Sequence, residues 1–276
     1  MQNNRSNNWK GLVIPIVVFG FWFILGVTGR LNSQLFPTPQ EVWVAFMHLL
    51  KRGLFWRHVA SSLTRVFIGF GLSIAVGVPL GLLIGCVPES HVWFGPTLHF
   101  LRQIPPTALI PVFLLWFGIG EGSKHAVIFY AAVFPIVINA ALGVQEIRKE
   151  YWEVCRALCL PPGKILRTLI LPGSYSAVFT GLRLGMGMSW RAIVAAEMLA
   201  ASSGLGYLVM SSRALVKVDE MFAGIIFIGI FGIIIDVVFV AIQNQLIPSW
   251  RMRLSSNRGE EFVNTATAVE PSFQDI

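Results

Sequence analysis

Apolar stretches long enough to cross a membrane recur along this chain. Gly11 to Gly29, Val66 to Pro88, Gln103 to Gly120 and His125 to Gln145 contain no Asp, Glu, Lys or Arg. Leu171 to Met198 is apolar around Arg183, Arg191 and Glu197, and Met221 to Leu246 is apolar around Asp236. A bilayer core of ~30 Å needs roughly 20 such residues as a helix, so the pattern predicts an all-α membrane protein with about six transmembrane helices. An even number of spans places both termini on one side. Gly11–Gly29 is long for a signal-peptide core and no A-x-A site follows it, so it reads as a retained first span.

Between the spans the pattern changes. Thr38-Pro39-Gln40-Glu41 has the form of a helix start, with Thr38 as N-cap, Pro39 at N1 and Glu41 at N3 of a capping box. Val42, Phe46, Leu49 and Leu50 then share one face. This is either an amphipathic helix lying on the membrane surface or a capped loop helix. Glycines at 77, 81 and 85 share a face of the second span, where small residues let helix backbones approach in lipid. Pro105, Pro106 and Pro111 should kink the third. Glu146 to Pro172 is the most charged stretch, and it has helical periodicity. Trp152, Cys155 and Cys159 lie on one stripe; Ile165, Leu166, Leu169 and Ile170 lie on another. Pro161-Pro162-Gly163 is expected to bend it into a hairpin outside the membrane, a shape suited to docking on a soluble partner. The chain thus divides into an N-terminal tail (1–10), a first span (11–29), an external amphipathic segment (30–60) and a core (61–250) containing the loop 146–172. A polar tail (251–276) follows, expected to be disordered.

Composition agrees with a membrane location. Of 276 residues, 55% are hydrophobic and 13% charged, against about 25% charged in soluble domains. The net charge of +7 would suggest nucleic acid in a soluble protein. Here it fits Lys and Arg in cytoplasmic loops. With a cytoplasmic N-terminus, 11 basic residues fall inside and eight outside, which favours that orientation. Cys86, Cys155 and Cys159 form no disulfide framework, and no His stands near the last two to complete a metal site. The five histidines are scattered, which argues against a haem-anchoring subunit. No G-x-x-x-x-G-K-[ST] loop is present, and no catalytic constellation stands out. The chain is not expected to be an enzyme or to bind a cofactor.

Glu153 to Pro172 resembles the EAA loop of ABC importer permeases. That loop runs Glu-Ala-Ala, three residues, Gly, nine residues, then Ile-x-Leu-Pro. Here Glu153-Val154-Cys155 is followed by Cys159 at the glycine position and then by Leu169-Ile170-Leu171-Pro172. Leu35 to Trp43, Leu101 to Pro106, Leu115 to Gly120, Gly181-Leu182-Arg183, Trp190 to Glu197 and Gly204 to Tyr207 resemble the nitrate, sulfonate and taurine permeases. The resemblance implies a type I importer (MetI-like) permease fold with a cytoplasmic coupling hairpin, in a bacterial inner membrane. It implies import of a small anion by alternating access. It also implies two ABC ATPase subunits that hold ATP and Mg, an external binding protein, periplasmic or lipid-anchored, and a second permease copy. The ATPase-coupling residues would be Glu153, Cys159, Leu160, Pro162, Gly163, Lys164, Leu171 and Pro172.

Charges inside spans cost roughly 2.5–3.5 kcal/mol on insertion scales and therefore face a cavity or a partner. Arg183 and Asp236 lie eleven residues from Pro172 and Ile247 respectively. At ~1.5 Å per residue both sit ~16 Å from the same membrane face, which predicts an ion pair; contact with substrate is the alternative. Arg191, beside Trp190 and Ser189, is a candidate for the substrate path, or it snorkels to the surface. Glu197 closes a gate or pairs elsewhere. Competing readings are an ABC permease for another solute, such as a thiamine precursor, and an autonomous six-span carrier.

Overall fold

The computed structural model describes residues 8–29, 35–87 and 89–246. Expectations for the extreme N-terminus, residues 30–34 and the tail beyond 246 lie outside them. Eleven α-helices are seen among the described residues: α1 (Asn8–Val27), α2 (Pro39–Lys51), α3 (Leu54–Cys86), α4 (Ser90–Gln103), α5 (Ile110–Phe117), α6 (Glu121–Gln145), α7 (Lys149–Ala157), α8 (Pro162–Ile165), α9 (Leu171–Ala200), α10 (Leu205–Ala214) and α11 (Val218–Leu246). Helices α3, α6, α9 and α11 are each long and apolar enough to cross a bilayer.

The third apolar window is not one straight span. Val92–Gln103 and Pro106–Phe117 meet at 79°. Pro105 is extended (φ −60°, ψ 131°) and Pro106 to Leu109 form a 3-10 turn. Two adjacent prolines remove two backbone donors, and the first biases its predecessor away from the helical region, so the helix stops rather than bending gently. The second span begins at Leu54, well before Val66, and runs unbroken through residue 60, where the external segment was expected to end.

The core is a slab in which α6 lies between α3 and α9. Contacts along α3 advance with those of α6: Gly69 meets Ile128, Gly77 meets Ile136, Gly81 meets Ala140 and Gly85 meets Val144. The two helices are therefore parallel, and the broken α4–α5 segment is the crossover that returns the chain. Against α9 the order reverses, with Gly143 on Ser174 and Ala177 and Gly181 on Pro135 and Asn139. The small stripe is longer than the three glycines seen in sequence. Ser73, also buried, continues it and donates to the Gly69 carbonyl at 2.9 Å. Gly181 and Gly185 serve the same packing role in α9.

Helix α2 has the expected cap. Glu41 N–H donates to Thr38 Oγ1 at 3.3 Å and Thr38 N–H donates to Glu41 Oε2 at 2.7 Å. Val42, Ala45 and Leu49 are buried, whereas Trp43 and Val44 are exposed. Between α7 and α8 the bend arises at Cys159 rather than at Pro162-Gly163. Cys159 has φ 47°, its N–H donates to the Arg156 carbonyl, and Leu160 N–H donates to the Cys155 carbonyl. This double bond set is a Schellman motif, whose C′ position favours glycine. Gly163 lies inside α8. Helix α10 ends the same way, on Val216 at φ 59°.

Two stability tests follow from this packing. A Cβ on Gly81 would sit 2.6 Å from both Ala140 Cβ and the Val137 carbonyl oxygen, while one on Gly71 meets nothing within 4 Å. Gly81→Ala should destabilise the detergent-solubilised protein by about 1–3 kcal/mol, and Gly71→Ala should be neutral or stabilising, both read by thermal unfolding. Cys159→Gly removes left-handed strain and should raise hydrogen-exchange protection of residues 155–160 by about 1 kcal/mol; Cys159→Val should lower it.

Candidate functional site

Three of the four charges expected inside spans gather on one groove. It lies between α9 and α11, has a volume of about 260 Å³, and is lined by Arg183, Met186, Gly187, Trp190, Arg191, Gly232, Ile235, Asp236 and Phe239. Residues 183, 186, 187, 190 and 191 recur at the three- and four-residue spacing of one helix face. Gly232 lets α11 come within 3.2 Å of the Trp190 indole nitrogen, measured from where a Cβ would stand.

Arg183 and Asp236 meet in this groove. Nε donates to Oδ1 at 2.7 Å and Nη2 to Oδ2 at 2.8 Å. Two parallel bonds of this kind are the strong, orientation-fixing form of the arginine–carboxylate pair. The pair is open to the groove, with side chains 43% and 52% exposed. Arg191 is different. Its Nε donates to the Gly187 carbonyl and its Nη2 lies 3.3 Å from Met188 Sδ. Among the described residues no carboxylate pairs with it. Trp190 is buried and donates to the Ile228 carbonyl at 3.1 Å, which ties α9 to α11. Ser189 is fully buried on another face of α9, and its Oγ has no partner among the described residues.

Glu197 does not reach the groove. Its side chain is 0% exposed and stands in a network at the far end of the slab from the α7–α8 hairpin. Arg65 Nη1 donates to Glu197 Oε1 at 2.8 Å, and Ser62 Oγ donates to the same carboxylate at 2.8 Å. Gly206 N–H donates to Oε2 at 3.1 Å. A Cβ on Gly204, which has φ +115°, would collide with this carboxylate. The sequence Gly204-Leu205-Gly206 is thus the cradle of Glu197. Arg65 also takes Glu121 in two bonds of 2.6 and 2.9 Å and the Ser203 carbonyl at 2.7 Å. Lys124 joins Glu121 at 2.8 Å. Removing one partner of a buried pair costs about 3–5 kcal/mol, so this network clamps α3, α6, α9 and α10 together.

The sequence reading missed Arg65, Ser62 and Glu121. Arg65 borders an apolar window and is one of the eight basic residues that fall outside when the N-terminus is taken as cytoplasmic. The available signal was its position within a continuous helical stretch, opposite a lone Glu197 needing a partner. At the other end, α7 presents Tyr151, Val154 and Leu158 to solvent together with Glu153 and Arg156, while Cys155 is buried. Arg148 donates to Glu150 at 3.0 Å. A backbone hydrogen bond, helped by Arg148, holds the Glu150 carboxyl below its ordinary range. Leu160 is half-buried, Pro162, Gly163, Lys164 and Leu171 are exposed, and Pro172 lies in the first turn of α9.

Comparison with known proteins matches this architecture. The family model described as binding-protein-dependent transport system inner membrane component covers residues 77–252. A putative aliphatic sulfonates transport permease of Bacillus subtilis is 33% identical over 242 residues, 88% of this chain and 87% of that one. A bicarbonate transport system permease of Synechococcus elongatus is 35% identical over 240 residues, 82% and 86% of the two chains. A solved structure of an inward-facing methionine ABC transporter aligns with TM-score 0.60 at 18% identity, over 72% of this chain and 98% of that one; it shares the fold. The chain therefore belongs to the binding-protein-dependent transport system inner membrane component family, as a multi-pass membrane permease.

Proposed function

We propose that this chain is the membrane-spanning subunit of an ATP-driven importer that moves a small anion, of the nitrate, bicarbonate, sulfonate or taurine kind, into the cytoplasm. The observation that carries this reading is Arg191, a guanidinium on a groove within a spanning helix with no carboxylate partner among the described residues. An uncompensated cation is too costly to face lipid, and in low-dielectric walls it concentrates anions. The sulfonate and bicarbonate relatives carry anions by their names, which supports the same class here.

ATP and Mg belong on two separate ATPase subunits, and the exposed α7–α8 hairpin is the docking element on the cytoplasmic side. Glu153 and Lys164 supply its polar contacts, Leu158 its apolar one, and Leu171-Pro172 hand its motion to α9. A second copy of this chain covers the exposed apolar run Leu115, Trp116, Phe117 and Ile119 at the end of α5. An external binding protein delivers the anion at the end held by the Arg65–Glu197 network. Arg191 and Trp190 then line the substrate path. Ser189 and Glu197, being buried behind it, hold α9 in place.

Proteoliposomes containing this chain and its co-purified ATPase test the reading. With ATP on the ATPase side and binding protein on the other, labelled nitrate, bicarbonate and taurine are compared. ATP-dependent uptake of one of them is expected. Arg191→Gln should reduce it by about tenfold or more, the size of one charge-assisted contact. Glu153→Ala should uncouple ATP hydrolysis from uptake while leaving the chain in the membrane. Uptake that persists without any ATPase would overturn the importer reading in favour of an autonomous carrier.

A further inference from the structure

We propose that the groove between α9 and α11 is a valence filter that accepts anions of a single negative charge, with the Arg183–Asp236 pair setting its net charge. The proposal rests on the small-anion reading above and narrows it to a charge class.

Of the nine described residues lining the groove, three are ionisable: Arg183, Arg191 and Asp236. Asp236 occupies Arg183 with both carboxylate oxygens, at 2.7 and 2.8 Å, so that guanidinium has its charge compensated in place. Among the described residues Arg191 is held by a carbonyl of its own helix and by a thioether, neither of which carries a charge. The described lining of the groove therefore carries a net charge of +1. The two arginines are eight residues apart on α9, about 12 Å along its axis, and open onto the same space of about 260 Å³. A space of that size takes one small oxyanion and a little water.

A monoanion beside Arg191 makes this groove neutral. A dianion leaves one negative charge uncompensated among Met186, Trp190, Ile235 and Phe239, where low polarity makes an unpaired charge costly. A dianion could gain a second cation only by displacing Asp236 from Arg183, giving up two short charge-assisted bonds and stranding the carboxylate. Asp236 thus does more than join α11 to α9. It subtracts one charge from a site that two free arginines would otherwise suit to dianions.

The test uses two probes of the same tetrahedral shape, methanesulfonate with one charge and methylphosphonate at an alkaline pH where it carries two. Binding is measured by calorimetry on the full chain in nanodiscs at fixed ionic strength. The wild type should prefer methanesulfonate by about tenfold, the cost of leaving one further charge unpaired in a groove that is only partly closed to water. Asp236→Asn raises the groove to +2 and should reverse the preference. Arg183→Gln lowers it to zero and should weaken both probes. The double exchange Arg183→Gln with Asp236→Asn restores +1 and should restore the wild-type order. Ile235→Arg adds a charge while leaving the pair intact, and should reverse the preference even where Asp236→Asn does not fold. A preference unchanged by Ile235→Arg and by any folded single exchange overturns the filter. The same variants in the uptake assay separate the two ideas. Loss of nitrate or bicarbonate uptake in Arg191→Gln without any change of valence preference in the others sinks the filter and leaves the importer. Full uptake in Arg191→Gln removes the anion site on which both rest.

Discussion

The fold depends on how closely α6 can approach its two neighbours. Lipid is as apolar as leucine, so burying apolar side chains gives helices in a bilayer little reason to associate; close backbone contact supplies the reason instead. Gly69, Ser73, Gly77, Gly81 and Gly85 place the spine of α3 against Ile128, Ile136, Ala140 and Val144. On its other side α6 takes Gly181 and Gly185 of α9, and gives Gly143 in return. Ala132, Ile136 and Ala140 are 0% exposed, as the centre of a three-helix slab requires. Because α3 and α6 run parallel, the intervening chain must return along the slab's length, and α5 does so packed against the core with Ile110 and Phe113 buried. The paired prolines at 105 and 106 suit that crossover, since they break it into two arms that do not compete for the close-packed seam.

Charge is used in two opposed ways on this slab. At one end Arg65, Glu121, Lys124 and Glu197 compensate one another within 2.6–2.9 Å, and the Gly204 turn closes over Glu197. Every member has a partner, which is the condition under which buried charges specify one arrangement rather than destabilising all of them. In the groove the Arg183–Asp236 pair is satisfied but open, and Arg191 is left with excess charge. The closed network holds helices to each other. The open set is what a mobile ion can meet.

Much of this was legible in the sequence because it follows from local chemistry. The cap of α2 rests on Thr38 and Glu41, and the spans on uninterrupted apolar runs. The geometry of Arg183 and Asp236 follows from equal depth on antiparallel helices. What the sequence hid was set by tertiary context. Pro162-Gly163 looked like the hairpin bend, yet the Schellman bonds of Cys155 and Arg156 force the left-handed turn onto Cys159, where a motif glycine would have stood unstrained. Arg65 looked external because it precedes an apolar window, and only the continuation of α3 back to Leu54 carries it inside. Glu197 could be placed on a face but not given a partner, since Ser62 and Arg65 lie more than 130 residues away.

The ion pair spans the boundary between the three-helix slab and α11. Helices α3, α6 and α9 share the small-residue seam and the buried network, and the α7–α8 hairpin joins α6 directly to α9. A displacement of the hairpin must therefore move those helices largely as one body. Helix α11 lacks such a seam; none of its most apolar stretch is buried. Near the groove it is tied to α9 by the Trp190 indole bonded to the Ile228 carbonyl and by Arg183 gripping Asp236. Helix α11 also packs through its aromatic rings, with Phe227 on Phe46 and Phe55, Phe231 on Trp190 and Phe239 on Phe70, so packing as well as the ion pair frames the groove that carries Arg191. A bidentate pair across that boundary fixes the helices in one register and opposes partial separation, because stretching either bond exposes two charges at once. The groove that carries Arg191 thus lies where the three-helix slab meets a helix held by aromatic packing and two directional polar contacts, outside the close-packed seam.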